Sequence, residues 1–206
     1  MVLSRWQKWF RHLRAWTACF LLACAAGWEG AWAQAPLDEL PDSPFPIRRI
    51  DETRDGPALR RIEVLRHALP AKFSRRQNFA WAVAKIEGLE KTEYFAHSGV
   101  DRKSELSSVA IRGIEKISLR PKKGRFEVLC VNRGDEVEGE DCFPRYSDTE
   151  YKILEEMASR LPDSSVQGRV RLYTDLPPCA SCRHVMRQFL DAYPHVQLQV
   201  LYCGRL

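Results

Sequence analysis

Three short stretches near the C-terminus decide the fold: GRVRLYT at residues 168–174, PPCASC at 177–182 and VQLQVLY at 196–202. In the first, Val170, Leu172 and Thr174 alternate with Arg169, Arg171 and Tyr173, the period of a strand with one buried face. The third repeats the pattern, with Val196, Leu198, Val200 and Tyr202 alternating with Gln197 and Gln199. Between them, from about Ser181, Val185, Met186, Phe189 and Leu190 share one helical face until Pro194 closes the helix. Strand, helix and strand with short links predict a right-handed parallel crossover. Cys179 and Cys182 then lie where a strand hands over to a helix, and the positive end of the helix dipole favours thiolates there.

A second helix is predicted just upstream. Ser147 followed three residues later by Glu150 reads as a capping box with Ser147 as N-cap. Ile153, Leu154, Met157 and Leu161 give one apolar face, and Pro162 stops the helix. Alone, Asp148 and Glu150 are no more than acids favoured in any first helical turn. Alone, Cys179 and Cys182 are equally a disulfide, a thioredoxin-like redox pair or one edge of a zinc site. A structural zinc site needs four protein ligands, but there is no second C-x-x-C, and Cys203 and the five histidines show no ligand spacing. Asp148, Cys179 and Cys182 instead make a three-ligand set with an open fourth position, which is the character of a catalytic centre. Glu150, two residues beyond the carboxylate ligand, would move protons between water and substrate. A thioredoxin fold needs a further helix after its motif helix, and only residues 183–206 remain.

Outward from these motifs, residues 78–86 and 92–96 are apolar runs separated by Gly88, and predict a hairpin. Residues 109–119 and 125–131 read as further strands around a Pro121-Lys122-Lys123-Gly124 turn. An acidic loop at 134–141 lies between Cys130 and Cys142, which are near enough in sequence to be bridged. Residues 34–75 read as a proline-broken linker and solvated basic arm, with Leu59, Ile62 and Leu65 allowing one short helix. The folded domain is expected over 76–206. At 206 residues, with 45% hydrophobic and 29% charged residues, the chain has room for one core, and its net charge of +5 permits a polyanionic partner without demanding one.

Residues 1–33 read as a signal peptide: Arg5, Lys8, Arg11 and Arg14, an uncharged stretch, then Ala31-Trp32-Ala33 before Gln34. The apolar run is short for a bilayer span, so no transmembrane anchor is expected. Leu21-Leu22-Ala23-Cys24 also resembles a lipoprotein box, which would place a lipid on Cys24. Either route predicts a secreted or periplasmic protein.

The stretches at 148–154, 168–174 and 178–182, with 78–82, 95–99 and 126–132 upstream, resemble the deaminase domain of bacterial polymorphic toxins. More distantly they are similar to the DYW domain that ends plant organellar RNA-editing proteins. The resemblance covers about 76–202. It implies a cytidine deaminase-like α/β fold, a three-layer helix–sheet–helix domain with a mixed sheet. It also implies Zn2+ held by Asp148, Cys179 and Cys182, Glu150 as proton carrier, a nucleic acid or nucleoside substrate and an immunity protein. Most deaminases place His or Cys where this chain has Asp148, and toxin deaminases usually end a large delivery protein. In such folds the hairpin edges face the pocket, which makes Asn78, His97, Ser98 and Thr174 candidates for holding base or sugar, with turn residues the plainer alternative. The expected activity is hydrolytic deamination, with cytosine in nucleic acid the favoured target. An exported thiol–disulfide oxidoreductase using Cys179 and Cys182, or a non-catalytic module on the same fold, are the competing classes.

Overall fold

A computed structural model of the chain describes residues 43–74, 76–106 and 114–204. The signal peptide, its cleavage after Ala33, the lipid site at Cys24 and the linker up to residue 42 lie outside the described residues, as do 109–113 of the expected strand at 109–119. Among the described residues no helix is long and apolar enough to cross a membrane.

The sheet has five strands in the order β1-β7-β6-β2-β3. They are β1 (Ile47–Arg49), β2 (Phe79–Ile86), β3 (Glu93–His97), β6 (Gly168–Thr174) and β7 (Val196–Tyr202). Strands β6 and β7 pair in parallel, as their crossover helix α4 (Ala180–Ala192) requires, and β1 pairs in parallel on the far side of β7. The hairpin β2–β3 is antiparallel and docks antiparallel on β6, making the sheet mixed. A small ladder of β4 (Cys130–Val131) and β5 (Phe143–Pro144) stands apart.

Side-chain alternation sorts the molecule into three layers. Ala80, Ala82, Ala84, Val170, Leu172, Leu198 and Val200 face one core together with Ile153, Leu154 and Met157 of α3 (Thr149–Ala158) and Val185, Met186 and Phe189 of α4. On the other side Phe79, Trp81, Phe95, Tyr173 and Leu201 pack with Ala58 and Leu65 of α1 (Glu52–His67) and Phe73 of α2 (Ala71–Ser74). This is the α/β helix–sheet–helix arrangement with a mixed sheet that the motifs lead one to expect.

Two sequence expectations are corrected. From Phe45 onward the supposed linker and basic arm belongs to the packed domain: β1 is a sheet strand, and α1 covers a core. Three of its arginines are spent on specific acids. Arg48 holds Asp55 through two hydrogen bonds of 2.8 and 3.0 Å with both side chains buried, Arg61 pairs with Glu93, and Arg66 pairs with Asp175. Asp51 caps α1 by accepting from the Thr53 and Arg54 amides.

The second correction concerns 125–131, of which only Cys130–Val131 is strand. Its backbone donors go to side chains of the helices instead of to a neighbouring strand. The Arg125 and Phe126 amides donate to the buried carboxylate of Glu155, the Glu127 amide to Gln188 and the Leu129 amide to Ser181 Oγ. The described part of the strand expected at 109–119 is likewise no strand; Ile114 and Ile117 are buried under the second core, and the Ser118 amide donates to Phe95 O on the β3 edge.

Candidate active site

Helices α3 and α4 begin side by side at the C-terminal ends of the strands, and their first residues form one polar cluster. Asp148 is the N-cap of α3, yet its side chain makes no capping hydrogen bond. It points at the thiols: Oδ2 lies 3.3 Å from Cys179 Sγ and 3.2 Å from Cys182 Sγ, and the two sulfurs are 3.4 Å apart. Ser147, expected as the cap, donates to Asp101 Oδ2 at 2.7 Å. The capping box gives way because the Asp148 carboxylate is drawn to the sulfurs and to Arg145, whose Nε donates to Oδ2 at 2.9 Å.

Cys179 is in turn the N-cap of α4, its sulfur accepting from the Cys182 amide at 3.4 Å. The Ala180 amide donates to Asp135 Oδ1 at 2.6 Å, and Arg183 pairs with the other oxygen of Asp135. Asp135 sits in the loop closed by a disulfide between Cys130 and Cys142. A bridged loop thus fixes the start of the helix that presents the two thiols.

Among the described residues, Asp148, Cys179 and Cys182 are the group whose ligand atoms lie close enough together to hold a metal ion, all within 4.8 Å. A tetrahedral zinc with ordinary Zn–S and Zn–O bonds keeps such atoms roughly 3.6–3.8 Å apart. The observed 3.2–3.4 Å needs only a few tenths of an ångström of adjustment, so the residues fit the ion. The electrostatics agree. Hydrogen bonding from Cys179, burial, and the negative charges of Glu150 and Asp148 push the Cys182 thiol well above its ordinary range. Crowded negative charge of this kind is what a divalent cation relieves.

Glu150 is 2% exposed and fully engaged. Oε1 accepts from Thr174 Oγ1 at 3.0 Å, and Oε2 accepts from Thr149 Oγ1 at 2.7 Å and from Asn78 Nδ2 at 3.4 Å. Burial, then the charge of Asp148, pushes its carboxyl above the usual range.

The hairpin candidates divide. Asn78 and Thr174 touch Glu150 and each other, the Asn78 amide nitrogen lying 3.0 Å from Thr174 Oγ1, so both orient the carboxylate. Ser98 accepts from the Asn78 backbone amide at 3.1 Å and holds that residue in place. His97 faces away: it is wholly buried, its Nε2 lies 2.9 Å from Arg76 O, Nδ1 accepts from the Gly99 amide, and its ring meets the edge of Phe73. It is a packing residue on the far side of the sheet rather than part of this cluster. Sequence reasoning missed Arg145, Thr149, Asp135 and Lys152. Lys152 is fully buried, with Nζ 2.6 Å from Asp101 Oδ1 and donating to the carbonyls of His97 and Val100. Only its position one helical turn after Asp148 hinted at a role.

The toxin-deaminase family, described as the BURPS668_1122 family of deaminases, matches residues 62–204. The chain belongs to this deaminase family. The match begins inside α1 and takes in both motif helices and every site residue described above. No curated protein and no solved structure matches the chain. As a toxin-family deaminase it has the mixed α/β sheet, with the Glu150 helix and the helix bearing Cys179 and Cys182 packed on the same face of it.

Proposed function

We propose that this deaminase is a zinc-dependent hydrolase that replaces the exocyclic amine of a nucleobase by oxygen, with cytosine in nucleic acid as its target. The observation that carries the reading is the convergence of the Asp148 carboxylate on the two sulfurs at 3.2 and 3.3 Å, with Glu150 two residues further along the same helix. Asp148, Cys179 and Cys182 would hold the ion, and when bound it supplies Lewis-acid activation of water at the fourth position. Arg145, donating to Asp148, orients that ligand.

Glu150 carries the protons. It takes one from the attacking water and delivers it to the ring nitrogen beside the reacting carbon; it then takes the second from the new hydroxyl on that carbon and gives it to the amine, which leaves as ammonia as the carbonyl forms. A carboxyl held up by burial is suited to hold a proton part-way through such a cycle. Thr174, Thr149 and Asn78 fix its two oxygens so that it need not reorient between steps.

The signal-peptide pattern at 1–33 supports action outside the producing cell as a secreted or periplasmic effector, by cleavage after Ala33 or by a lipid on Cys24. The Cys130–Cys142 disulfide fits an oxidising destination. An immunity protein that masks this site is the partner such a toxin needs. The test is ammonia release and cytosine-to-uracil conversion in single-stranded DNA, RNA and free cytidine, with zinc content measured on the same protein. Stoichiometric zinc together with conversion abolished in Glu150→Gln supports the reading; a metal-free protein with a measurable Cys179–Cys182 dithiol potential points to the oxidoreductase class instead.

A further inference from the structure

Phe143 and Tyr146 are large aromatic side chains left 46% and 38% exposed, and both stand within five residues of Asp148. The two exposed rings stand three residues apart in sequence. Each carries a guanidinium: Arg145 Cζ is 4.7 Å from the centre of the Phe143 ring, and Arg120 Cζ is 4.7 Å from the centre of Tyr146. Arg145 also donates to Asp148, so the chain of contacts runs unbroken from an exposed ring to the carboxylate at the reaction centre. The base of the ledge is rigid. Phe143 pairs with Val131 in the β4–β5 ladder directly after the Cys130–Cys142 bridge, and Tyr146 packs edge-on against the buried ring of Tyr151.

We infer that Phe143, Tyr146, Arg120 and Arg145 form a ledge that binds the nucleotides flanking the reacting base in single-stranded nucleic acid. The inference rests on the deaminase reading above and adds to it the residues that hold the nucleotides on either side of the target. A free nucleoside has no flanking base to stack and no run of phosphates, so it would leave such a ledge unused. A single strand uses both parts: bases stack on the rings irrespective of sequence, and the guanidiniums meet phosphates. Charge also sets the direction of the strand. Glu138, Glu140 and Asp141 are exposed immediately before Phe143, and phosphates avoid them. The strand therefore runs from Phe143 toward Tyr146 and Arg120.

The test reads binding apart from catalysis. Fluorescence anisotropy of a labelled single-stranded 12-mer with one central cytosine, as DNA and as RNA, is measured with Glu150→Gln protein and with the same protein carrying Phe143→Ala, Tyr146→Ala or Arg120→Glu. Each ring removal is expected to weaken binding roughly ten- to hundredfold, in line with the loss of one stacked base. Phe143→Trp should retain the affinity. Arg120→Glu should flatten the dependence of log Kd on log salt by about one unit or more. The melting temperature of each variant, measured beside its binding, separates a loss of fold from the loss of a contact. Unchanged affinity in both ring variants, or no binding of either 12-mer by Glu150→Gln, overturns the inference. If instead the 12-mers bind through the rings but wild-type protein converts no cytosine in any substrate, the deaminase reading fails while the ledge stands.

Discussion

Oε1 of Glu150, in the first turn of α3, accepts a hydrogen bond from Thr174 Oγ1, the last residue of β6, at 3.0 Å. That single bond ties the Glu150 carboxylate to the strand end from which the chain passes to Cys179 and Cys182. Two residues further on, Lys152 anchors the same helix from beneath by donating to the carbonyls of His97 and Val100. The start of α3 is therefore held against the sheet, and the start of α4 by the bridged loop through Asp135.

Replacing Glu150 by Gln keeps the shape and most of the hydrogen bonds but removes the transferable proton. Deamination should fall by about a hundredfold to ten-thousandfold. Zinc content by elemental analysis should stay stoichiometric, which separates this role from that of the ligands.

The same variant has a signature in stability against pH. The folded-state carboxyl of Glu150 is raised by burial and by Asp148, so the fold disfavours its charged form. With a chelator present, wild-type protein binds more protons folded than unfolded once pH rises above the ordinary carboxylate range, and it loses stability there. Glu150→Gln has no such loss. The gap between the two in urea denaturation should be small below about pH 4 and widen as pH rises through the folded-state pKa. A gap that narrows with rising pH would contradict the raised carboxyl.

Arg145 supports a ligand without being one. Arg145→Ala should weaken zinc affinity by about ten- to a hundredfold, as loss of an outer-sphere partner does. Competition titration with a chromophoric chelator reads the change directly. Asp148→Ala, by contrast, should abolish stoichiometric binding.

The disulfide spans a sequence separation of 12 and anchors the loop whose Asp135 receives the Ala180 amide. The paired substitution Cys130→Ser with Cys142→Ser should cost about 3 kcal/mol by loop-closure entropy. It should also loosen zinc, because the start of α4 loses a partner; thermal melts with and without added zinc separate the two effects.

Arg48 and Asp55 test whether the N-terminal segment belongs to the fold. Both side chains are buried, so Asp55→Ala strands a guanidinium in the interior and should cost about 3–5 kcal/mol. A solvated arm would tolerate the change with no shift in the urea midpoint.

What the sequence determined by itself were features that local chemistry specifies. Alternation at 168–174 and 196–202 with a helical face between them determines a parallel pair, because side-chain period follows directly from backbone geometry. The order of Asp148, Glu150, Cys179 and Cys182, each at the start of a helix, already narrowed the chemistry to a few classes. Tertiary structure decided what local pattern could not carry. It turned the Asp148 carboxylate away from its own helix and toward sulfurs about thirty residues on, and it left Ser147 to Asp101. It also sent the amides of Arg125, Phe126, Glu127 and Leu129 to Glu155, Gln188 and Ser181, and paired Arg48, Arg61 and Arg66 with Asp55, Glu93 and Asp175. In each case a polar group entering a buried or crowded place had to find a partner, and that partner lies far along the chain. Neighbours in sequence cannot announce such a partner; only the folded arrangement brings it within reach.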